Sequence, residues 1–178
     1  SPAFITILPM QQKKLLWKFE LLSRGQQDIK FDKGAGKKIL ITGFDPFFLD
    51  KNINQSNPSG VAALAFDDLT ISLDGVKAEV ETIILPVRFE DFDQGIVETL
   101  LAPYMNSVDM IVTISMGRNN FDLERFPARR RSAQAPDNLN VYTGATAKTP
   151  LIPLLNNQAI NGAEFVEFSL PVNAIKKA

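Results

Sequence analysis

The stretch Ile39-Leu40-Ile41-Thr42-Gly43-Phe44-Asp45-Pro46-Phe47-Phe48 decides the fold of this chain. Its apolar run begins at Ile39 and stops at Gly43. A short apolar run that is closed by a glycine predicts a buried strand ending at that point.

The residues after this strand predict a turn that lies against a binding surface. Pro46 fixes one backbone dihedral, and the side chain of Asp45 is placed to satisfy the turn. Phe44 and Phe47 border the turn at the carboxyl end of the strand, where ligands bind in open α/β sheets. The two rings either line a small-molecule pocket or pack under the loop.

The rest of the chain alternates between helical and extended patterns. Four further elements are predicted: a helix opened by Asn57 and Pro58, a strand with one polar face over 76–84, one helix carrying Phe92, Ile96, Leu100 and Tyr104, and a buried parallel strand over 110–116. Asp74-Gly75 predicts a turn before the second strand. The order predicts an α/β fold, a doubly wound and largely parallel twisted sheet with helices on both faces.

Residues 1–37 form a predicted N-terminal extension to this domain. Phe4–Leu8 is β-prone, and the segment from Met10 to Ser23 places four apolar side chains on one helical face, namely Leu15, Leu16, Phe19 and Leu22. A polar, glycine-containing linker follows over 26–38. The helix either packs on the main domain or binds a partner or a second copy.

Composition excludes several classes of function. The 178 residues carry a net charge of −1, so no global field attracts nucleic acid or an anionic membrane, and neither partner is expected. There is no cysteine and no histidine. The chain by itself therefore has no disulfide framework, no thiol nucleophile and no imidazole base. No signal peptide is recognised in the sequence, and the absence of cysteine suits export.

Several short motifs resemble the pyroglutamyl peptidase I (pyrrolidone-carboxylate peptidase) family, cysteine peptidases that remove an N-terminal pyroglutamate. In chain order the matching segments are Thr42–Phe47, Asn57-Pro58, Leu85-Pro86-Val87 with Phe89, Gly117-Arg118, Leu123–Arg125, Pro136–Asn138, 149–153 and 168–172. The resemblance covers residues 38–178 and only the N-terminal part of the family. It implies an α/β domain over 38–178 that is incomplete at its C-terminus, without the segment that carries the family's cysteine and histidine.

The resemblance also implies the site residues. Glu124 falls on a catalytic-site glutamate, and Asp137 on an aspartate considered to orient the catalytic histidine. Phe44 and Phe47 would sandwich the ring of a peptide or small substrate that is cyclised at its N-terminus. No metal or organic cofactor is implied, the implied compartment is the cytoplasm, and homo-oligomerisation is left open.

The chain departs from the family pattern at five positions. They are Phe48 and Leu49 in place of glycines, Gln134 in place of an arginine, and Ile114 and Met116 in a loop that usually carries glutamine and glycine. The loss of the two glycines predicts a changed loop path. Two explanations remain open: a fragment of a pyroglutamyl-peptidase-like enzyme, or an inactive homologue that binds a peptide end or a small ligand.

The run Arg129-Arg130-Arg131 has two interpretations. It is either a set of solvated arginines balanced by nearby acids or a nucleic-acid-binding patch, and the net charge argues against the patch. A weaker alternative combines this run and the N-terminal helix into a protein-interaction surface on a structural module.

Overall fold

A computed structural model describes residues 9–32, 34, 36–48 and 50–177 of the chain. The chain divides into two compact units. The first holds residues up to 45, 56–85 and 102–115, and the second holds 46–55, 86–101 and 116–178. The predicted strand over Phe4–Leu8 lies outside the described residues.

The first unit is built on a four-stranded, mainly parallel sheet. Its strands in chain order are β1 (Lys37–Phe44), β2 (Thr70–Leu73), β3 (Val76–Leu85) and β4 (Met110–Thr113). The spatial order is β2-β3-β1-β4, with β1 parallel to β3 and to β4, and β2 antiparallel to β3. This arrangement confirms the predicted α/β class, and it puts the opening stretch on a central strand.

The turn between β2 and β3 was predicted from Asp74-Gly75. Both residues have positive φ, 49° and 80°, as the tight turn of a two-residue hairpin requires. The strand β2 itself was not predicted, because its four residues are all exposed and show no burial pattern.

The first helix after β1 begins where the sequence predicts. The helix α2 (Pro58–Phe66) starts at a proline, and the Oδ1 atom of Asn57 accepts a hydrogen bond from the backbone N–H of Ser59 at 3.1 Å. The core of this unit joins the helix to the two central strands through Ile41, Ala63, Val80 and Ile84.

Two glycines let the backbones of β1 and α2 approach each other closely. A Cβ atom on Gly43 would lie 2.5 Å from the backbone oxygen of Ser59 and 2.9 Å from the Cα atom of Gly60. A Cβ atom on Gly60 would in turn meet the backbone oxygen of Phe44. Gly43 therefore ends the apolar run for a packing reason, and its φ is not in the left-handed region.

The expected polar face of β3 is wrong for the second half of that strand. Glu81 and Thr82 are buried together with their apolar neighbours. The outer edge of the strand, past its pairing with β2, is covered by loops. Asp67 Oδ1 accepts from the Thr82 N–H at 3.1 Å, the Arg24 carbonyl accepts from the Ile84 N–H at 2.9 Å, and the Gln26 side chain donates to the Ile84 carbonyl at 2.8 Å.

The N-terminal helix forms as predicted, but its apolar face is not buried. The helix α1 spans Met10–Leu22 and contains no buried residue. The expectation that its apolar face packs on the domain is wrong, since the four side chains on that face are largely exposed: Leu15 68%, Leu16 53%, Phe19 69% and Leu22 47%.

The predicted strand over 110–116 is shorter and more exposed than expected. β4 stops at Thr113 and ends the strand order of the sheet, paired with β1 alone. Met110 is exposed, while Ile111 and Val112 are half-buried. β4 is therefore an edge strand, and not the fully buried strand that its apolar run predicted.

The second unit consists mostly of loops. Its elements are α3 (Phe89–Asp93), α4 (Ile96–Leu101), β5 (Leu154–Leu155), β6 (Gln158–Ala159) and α5 (Val172–Ile175). The prediction of one continuous helix through Phe92 and Tyr104 is wrong. Gly95 breaks it with a φ of 80°, which a right-handed helix cannot contain. Within the described residues, no helix is long and apolar enough to cross a membrane.

The Gly43–Gly60 approach leads to a stability prediction. Gly43→Ala should lower the free energy of unfolding by about 1–3 kcal/mol or more, because the new methyl group would overlap backbone atoms that cannot rotate away. Urea denaturation measures the effect. Gly117→Ala is the control, because its Cβ atom would approach the backbone oxygen of Asn120 at 3.1 Å in an exposed segment. Equal stability of the two variants would contradict the packing argument.

Candidate functional site

Phe44 lies at the carboxyl end of β1, where the sequence places it. The ring is half-buried, and the backbone N–H of Phe44 donates to the Ser59 Oγ atom at 3.2 Å. Ser59 Oγ itself donates to Asn57 Oδ1 at 2.8 Å. The Asn57-Pro58 motif thus helps to hold the end of the strand from which Phe44 projects.

Asp45 does not satisfy its own turn, which corrects the prediction. Its carboxylate receives the guanidinium of Arg24, with Nε 3.1 Å from both carboxylate oxygens and Nη2 2.9 Å from Oδ2. The backbone oxygen of Asp45 accepts from Asn57 Nδ2 at 2.9 Å. The side chains of Arg24 and Asp45 are largely shielded from solvent. A bidentate ion pair between a guanidinium and a carboxylate, which is a strong kind of hydrogen-bonded contact, thus joins the N-terminal extension to the Gly-Phe-Asp-Pro motif.

Asp137 is a buried carboxylate whose partners are all backbone N–H groups. Only 2% of the residue is exposed. Oδ1 accepts from Leu139 N at 2.8 Å and Val141 N at 3.0 Å, and Oδ2 accepts from Phe89 N at 2.9 Å. In the described part of the chain no ion pair reaches it. The side chain of Asp137 therefore ties the start of α3 to the loop over 137–141 through three hydrogen bonds.

Asn138 makes a second set of bonds, which sequence reasoning missed. Its Nδ2 donates to the Pro46 carbonyl at 2.9 Å, and its Oδ1 accepts from the Phe48 N–H at 2.9 Å. Its own N–H donates to the Val87 carbonyl at 2.9 Å. The amide side chain thus clamps both sides of the loop that carries Phe47, and the only sequence signal was its position in the Pro-Asp-Asn motif.

The loop that Asn138 clamps contains a residue with positive φ. Phe48 has a φ of 55°, the conformation that glycine ordinarily supplies. Its ring lies 6.3 Å from that of Phe47, and the Lys51 ammonium lies 5.2 Å from its centroid. Phe47 is half-buried in this loop. Whether the loop path differs from the family's remains a prediction.

Glu124 is exposed in an irregular segment of the second unit. Within the described residues, the structure gives it no hydrogen bond and no ion pair, and it does not bond to Asp137. Its neighbour Arg125 pairs with Glu167, with Nη2 2.6 Å from Oε1. The structure therefore brings Asp137 to the loop of Phe47 and does not link Glu124 to either residue.

The arginine run is balanced by acids, as the first interpretation held. Arg129 and Arg130 both reach Glu164 Oε2, at 3.6 Å and 3.2 Å. Arg131 pairs with Asp93, and its guanidinium carbon lies 5.5 Å from the Phe89 ring centroid. The run therefore ties segments of the second unit to one another and does not present three unpaired cations.

A cavity of about 330 Å³ lies in the first unit beside β3. Five carboxylates and one ammonium line it: Asp28, Asp32, Asp68, Glu79, Glu81 and Lys30. Burial raises the pKa of Glu81, and the nearby carboxylates of Asp68, Asp67 and Asp28 raise it further, while a hydrogen bond from the Lys30 backbone works in the opposite direction.

Few side chains in this sequence could bind a metal ion or act as a thiol nucleophile. The sequence has no cysteine or histidine, and the described residues contain no group of three or more acidic side chains placed to hold a metal ion. Within the second unit, the arrangement combines the half-buried Phe47 with a loop backbone that Asn138 holds and with the buried carboxylate of Asp137.

Three comparisons with known proteins bear on this arrangement. The model of the family described as PA0049, C-terminal domain, matches residues 38–172. The uncharacterized protein PA0049 of Pseudomonas aeruginosa is 34% identical over 164 residues, which cover 81% of this chain and 30% of that protein. The chain thus spans about a third of the length of this relative.

The crystal structure of Bacillus amyloliquefaciens pyroglutamyl peptidase I has a related fold. It aligns with a TM-score of 0.57 at 20% identity, over 79% of this chain and 59% of that one. The match shows a shared α/β fold, as the motifs predicted.

The buried position of Asp137 leads to a prediction. Asp137→Asn should lower the free energy of unfolding by about 1.5–3 kcal/mol, since the amide nitrogen would face a backbone N–H that needs an acceptor. Thermal and urea denaturation measure the loss. Glu124→Gln, an exposed change of the same type, should stay within about 0.5 kcal/mol. A neutral Asp137→Asn would show that the three N–H bonds do not hold the loop.

The raised pKa of Glu81 gives a dependence on pH. A carboxyl whose pKa is higher in the folded state costs stability when it is ionised, so Glu81→Gln should stabilise the protein at pH 7. The amide oxygen of the glutamine still accepts the Lys30 N–H. The advantage should shrink as the pH falls through the raised pKa of Glu81 toward 4.5, its ordinary value. Urea melts of both proteins between pH 7 and pH 5 test this, and a constant difference would contradict it.

Proposed function

Because the chain belongs to the family of the PA0049 C-terminal domain and has a fold related to that of pyroglutamyl peptidase I, we propose that it binds an N-terminal pyroglutamate or a similarly cyclised residue. The bound species is a peptide or a small molecule that ends in a lactam-like ring. Recognition of this end is the part of pyroglutamyl peptidase function that the present residues can supply.

One observation carries the proposal. Three segments that resemble the peptidase family are joined by the hydrogen bonds of Asp137 and Asn138, although they lie about 40 to 90 residues apart in sequence. These are the loop of Pro46–Phe48, the segment Val87–Phe89 and the Pro-Asp-Asn segment itself. Motifs that resemble one family and also converge in space support a shared binding role more strongly than each motif alone.

The loop of Pro46–Phe48 supplies the apolar surface in this proposal. Phe47 is half-buried and sits on a backbone that Asn138 holds on both sides. A fixed aromatic ring suits a flat, uncharged lactam ring, because stacking needs little further ordering on binding. Phe44, which ends β1, is the second aromatic contributor that the resemblance implies.

Asp137 acts here as a positioning residue. Three of the acceptor sites of its carboxylate are used by backbone N–H groups, so its main contribution is the shape of the loop over 137–141. Glu124 is exposed and stays a candidate for a group that acts on the substrate only by resemblance.

Hydrolysis is proposed only for the complete protein. In the peptidase family a cysteine thiolate attacks the amide carbonyl, and a histidine gives its proton to the departing amine. The 178 residues contain neither residue type, so both would have to come from elsewhere in the protein. The same observation favours the second candidate function, a homologue that binds the cyclised end without cleaving it.

Calorimetric titration with two matched peptides tests the recognition. One begins with pyroglutamate and the other with glutamine, and they are otherwise identical. The cyclised peptide should bind. Phe47→Ala and Phe44→Ala should each weaken its binding about tenfold or more, because each change removes the aromatic surface that the bound lactam ring would cover. Phe165→Ala removes an exposed ring and is the control. Equal affinity for both peptides would overturn the proposal.

Hydrolysis of a pyroglutamyl amide by the complete protein separates the two candidates. Turnover that a thiol-alkylating reagent abolishes supports the peptidase. Binding of the cyclised peptide without turnover supports the binding module.

A further inference from the structure

We infer that Arg24 is a positioning residue of the candidate site, because its side chain fixes the backbone that carries Phe44. The inference rests on the proposed function and extends the binding site to a residue that lies before the segment matched by the family. Its starting observation is the contact between Arg24 and Asp45, the residue that directly follows Phe44.

Asp45 is held by three different segments of the first unit. Its backbone N–H donates to the Leu85 carbonyl at 3.0 Å, at the end of β3. Its carbonyl accepts from Asn57 Nδ2 at 2.9 Å, at the start of α2. Its carboxylate receives the guanidinium of Arg24, which comes from the N-terminal extension. The backbone and the side chain of Asp45 are therefore both restrained where the chain leaves the sheet.

Arg24 is anchored on its other sides, so its guanidinium holds Asp45 in one place. The Arg24 carbonyl accepts from the Ile84 N–H at 2.9 Å, on the outer edge of β3. Its Nη1 atom donates to the Glu20 carbonyl at 2.9 Å and lies 3.3 Å from the Glu20 carboxylate. A planar guanidinium that is bonded on two sides keeps its orientation, because a rotation would break hydrogen bonds on both sides.

This contact lies at the carboxyl end of the sheet. Gly43 pairs with Ile84 and Phe44 with Leu85, which are the last two pairs of the parallel ladder between β1 and β3. The Arg24 side chain therefore reaches from the outer edge of β3 to the first residue after β1. Ligands of open α/β sheets bind at this end of the strands.

Phe44 lies between two restraints on its backbone. On its amino side, the backbone at Gly43 lies close against Ser59 and Gly60. On its carboxyl side, Asp45 carries the ion pair with Arg24. An aromatic ring on a backbone that is fixed on both sides has little freedom left to lose when a ligand covers it. Loss of the Arg24 side chain should therefore reduce the affinity for a ligand that contacts Phe44.

A second ion pair of the first unit provides a matched control. Lys37 pairs with Asp109 at 2.7 Å, at the opposite end of β1. The side chains of this pair are exposed, whereas those of Arg24 and Asp45 are largely shielded from solvent. Exposed pairs contribute little, since water and salt screen them. Lys37→Gln removes one cation of the same strand without touching the carboxyl end of the sheet.

Arg24→Gln removes the guanidinium and keeps the backbone bond to Ile84, so it separates the hold on Asp45 from the loop that covers β3. In calorimetric titration, the pyroglutamyl peptide should bind about threefold to tenfold more weakly, since one side chain must then be ordered on binding. Arg24→Lys keeps the charge but not the fork of donors, so its affinity should be intermediate. Lys37→Gln should bind as the wild-type protein does. Urea denaturation first establishes that each variant is folded.

A double-mutant cycle separates the positioning of Phe44 from a general effect on stability. If Arg24 acts through Phe44, Arg24→Gln should cost no further affinity in a Phe44→Ala background. In a Phe47→Ala background it should cost as much as in the wild-type protein, because the loop of Phe47 is held by Asn138. A general loss of stability would lower the affinity equally in both backgrounds.

Hydrogen exchange of the Asp45 amide is a second measurement, and it needs no ligand. This N–H should exchange about fivefold faster or more in Arg24→Gln than in the wild-type protein, because the residue that carries it has lost its side-chain partner. The Leu139 N–H, which donates to Asp137 in the loop over 137–141, should exchange at the same rate in both proteins.

Three results would overturn the inference and leave the proposed function standing. They are equal affinity of Arg24→Gln and the wild-type protein, an equal loss of affinity in the Phe44→Ala and Phe47→Ala backgrounds, or an unchanged exchange rate of the Asp45 amide. A wild-type protein that does not bind the cyclised peptide would overturn both. Faster exchange in that case would show that Arg24 has a structural role alone.

Discussion

The close approach of two backbones, at Gly43 and Gly60, is the constraint on which the first unit depends. It brings the first turn of α2 against the end of β1, closer than any side chain would allow. Asn57 and Ser59 then reach the backbone atoms of Phe44 and Asp45 with short side chains. A packing requirement at two glycines thus fixes how the end of the central strand meets the first turn of α2.

Much of this unit could be predicted because its signals are local. An apolar run with a closing glycine, an Asn-Pro helix start and an Asp-Gly turn each depend on neighbours in sequence. The failures concern what lies opposite in space. The polar residues of β3 are buried because loops cover its outer edge. The apolar face of α1 is exposed because residues 10–19 are exposed on every side of the helix, and only Glu20 and Leu21 in its last turn are half-buried. The break at Gly95 was a local signal, but the apolar spacing on either side of it favoured one helix.

The candidate site likewise contains residues that the sequence singled out and contacts that the sequence did not predict. The resemblance singled out Asp137 as a residue that orients a histidine, and this role stays a prediction. The structure shows Asp137 buried, with three backbone N–H groups bonded to its carboxylate. The contribution of Asn138 was not visible, because an asparagine that clamps a loop 90 residues away has no sequence pattern of its own. The contact of Arg24 with Asp45 was missed for a related reason, since it joins the N-terminal extension to a motif that lies 21 residues further along the chain. Glu124 is the opposite case: its motif position singled it out, but the described part of the chain gives it no hydrogen bond and no ion pair.

The loops that cover the outer edge of β3 include residues that lie before the segment matched by the family. The family model starts at residue 38, yet the Ile84 N–H and carbonyl are satisfied by Arg24 and Gln26, which precede it. A chain trimmed to the family boundary would lose Lys37, the first residue of β1, and would leave the backbone N–H and carbonyl of Ile84 without these partners. Unpaired backbone groups at a strand edge are a template for pairing between molecules. The residues before the family boundary therefore close an edge that the matched segment by itself leaves open.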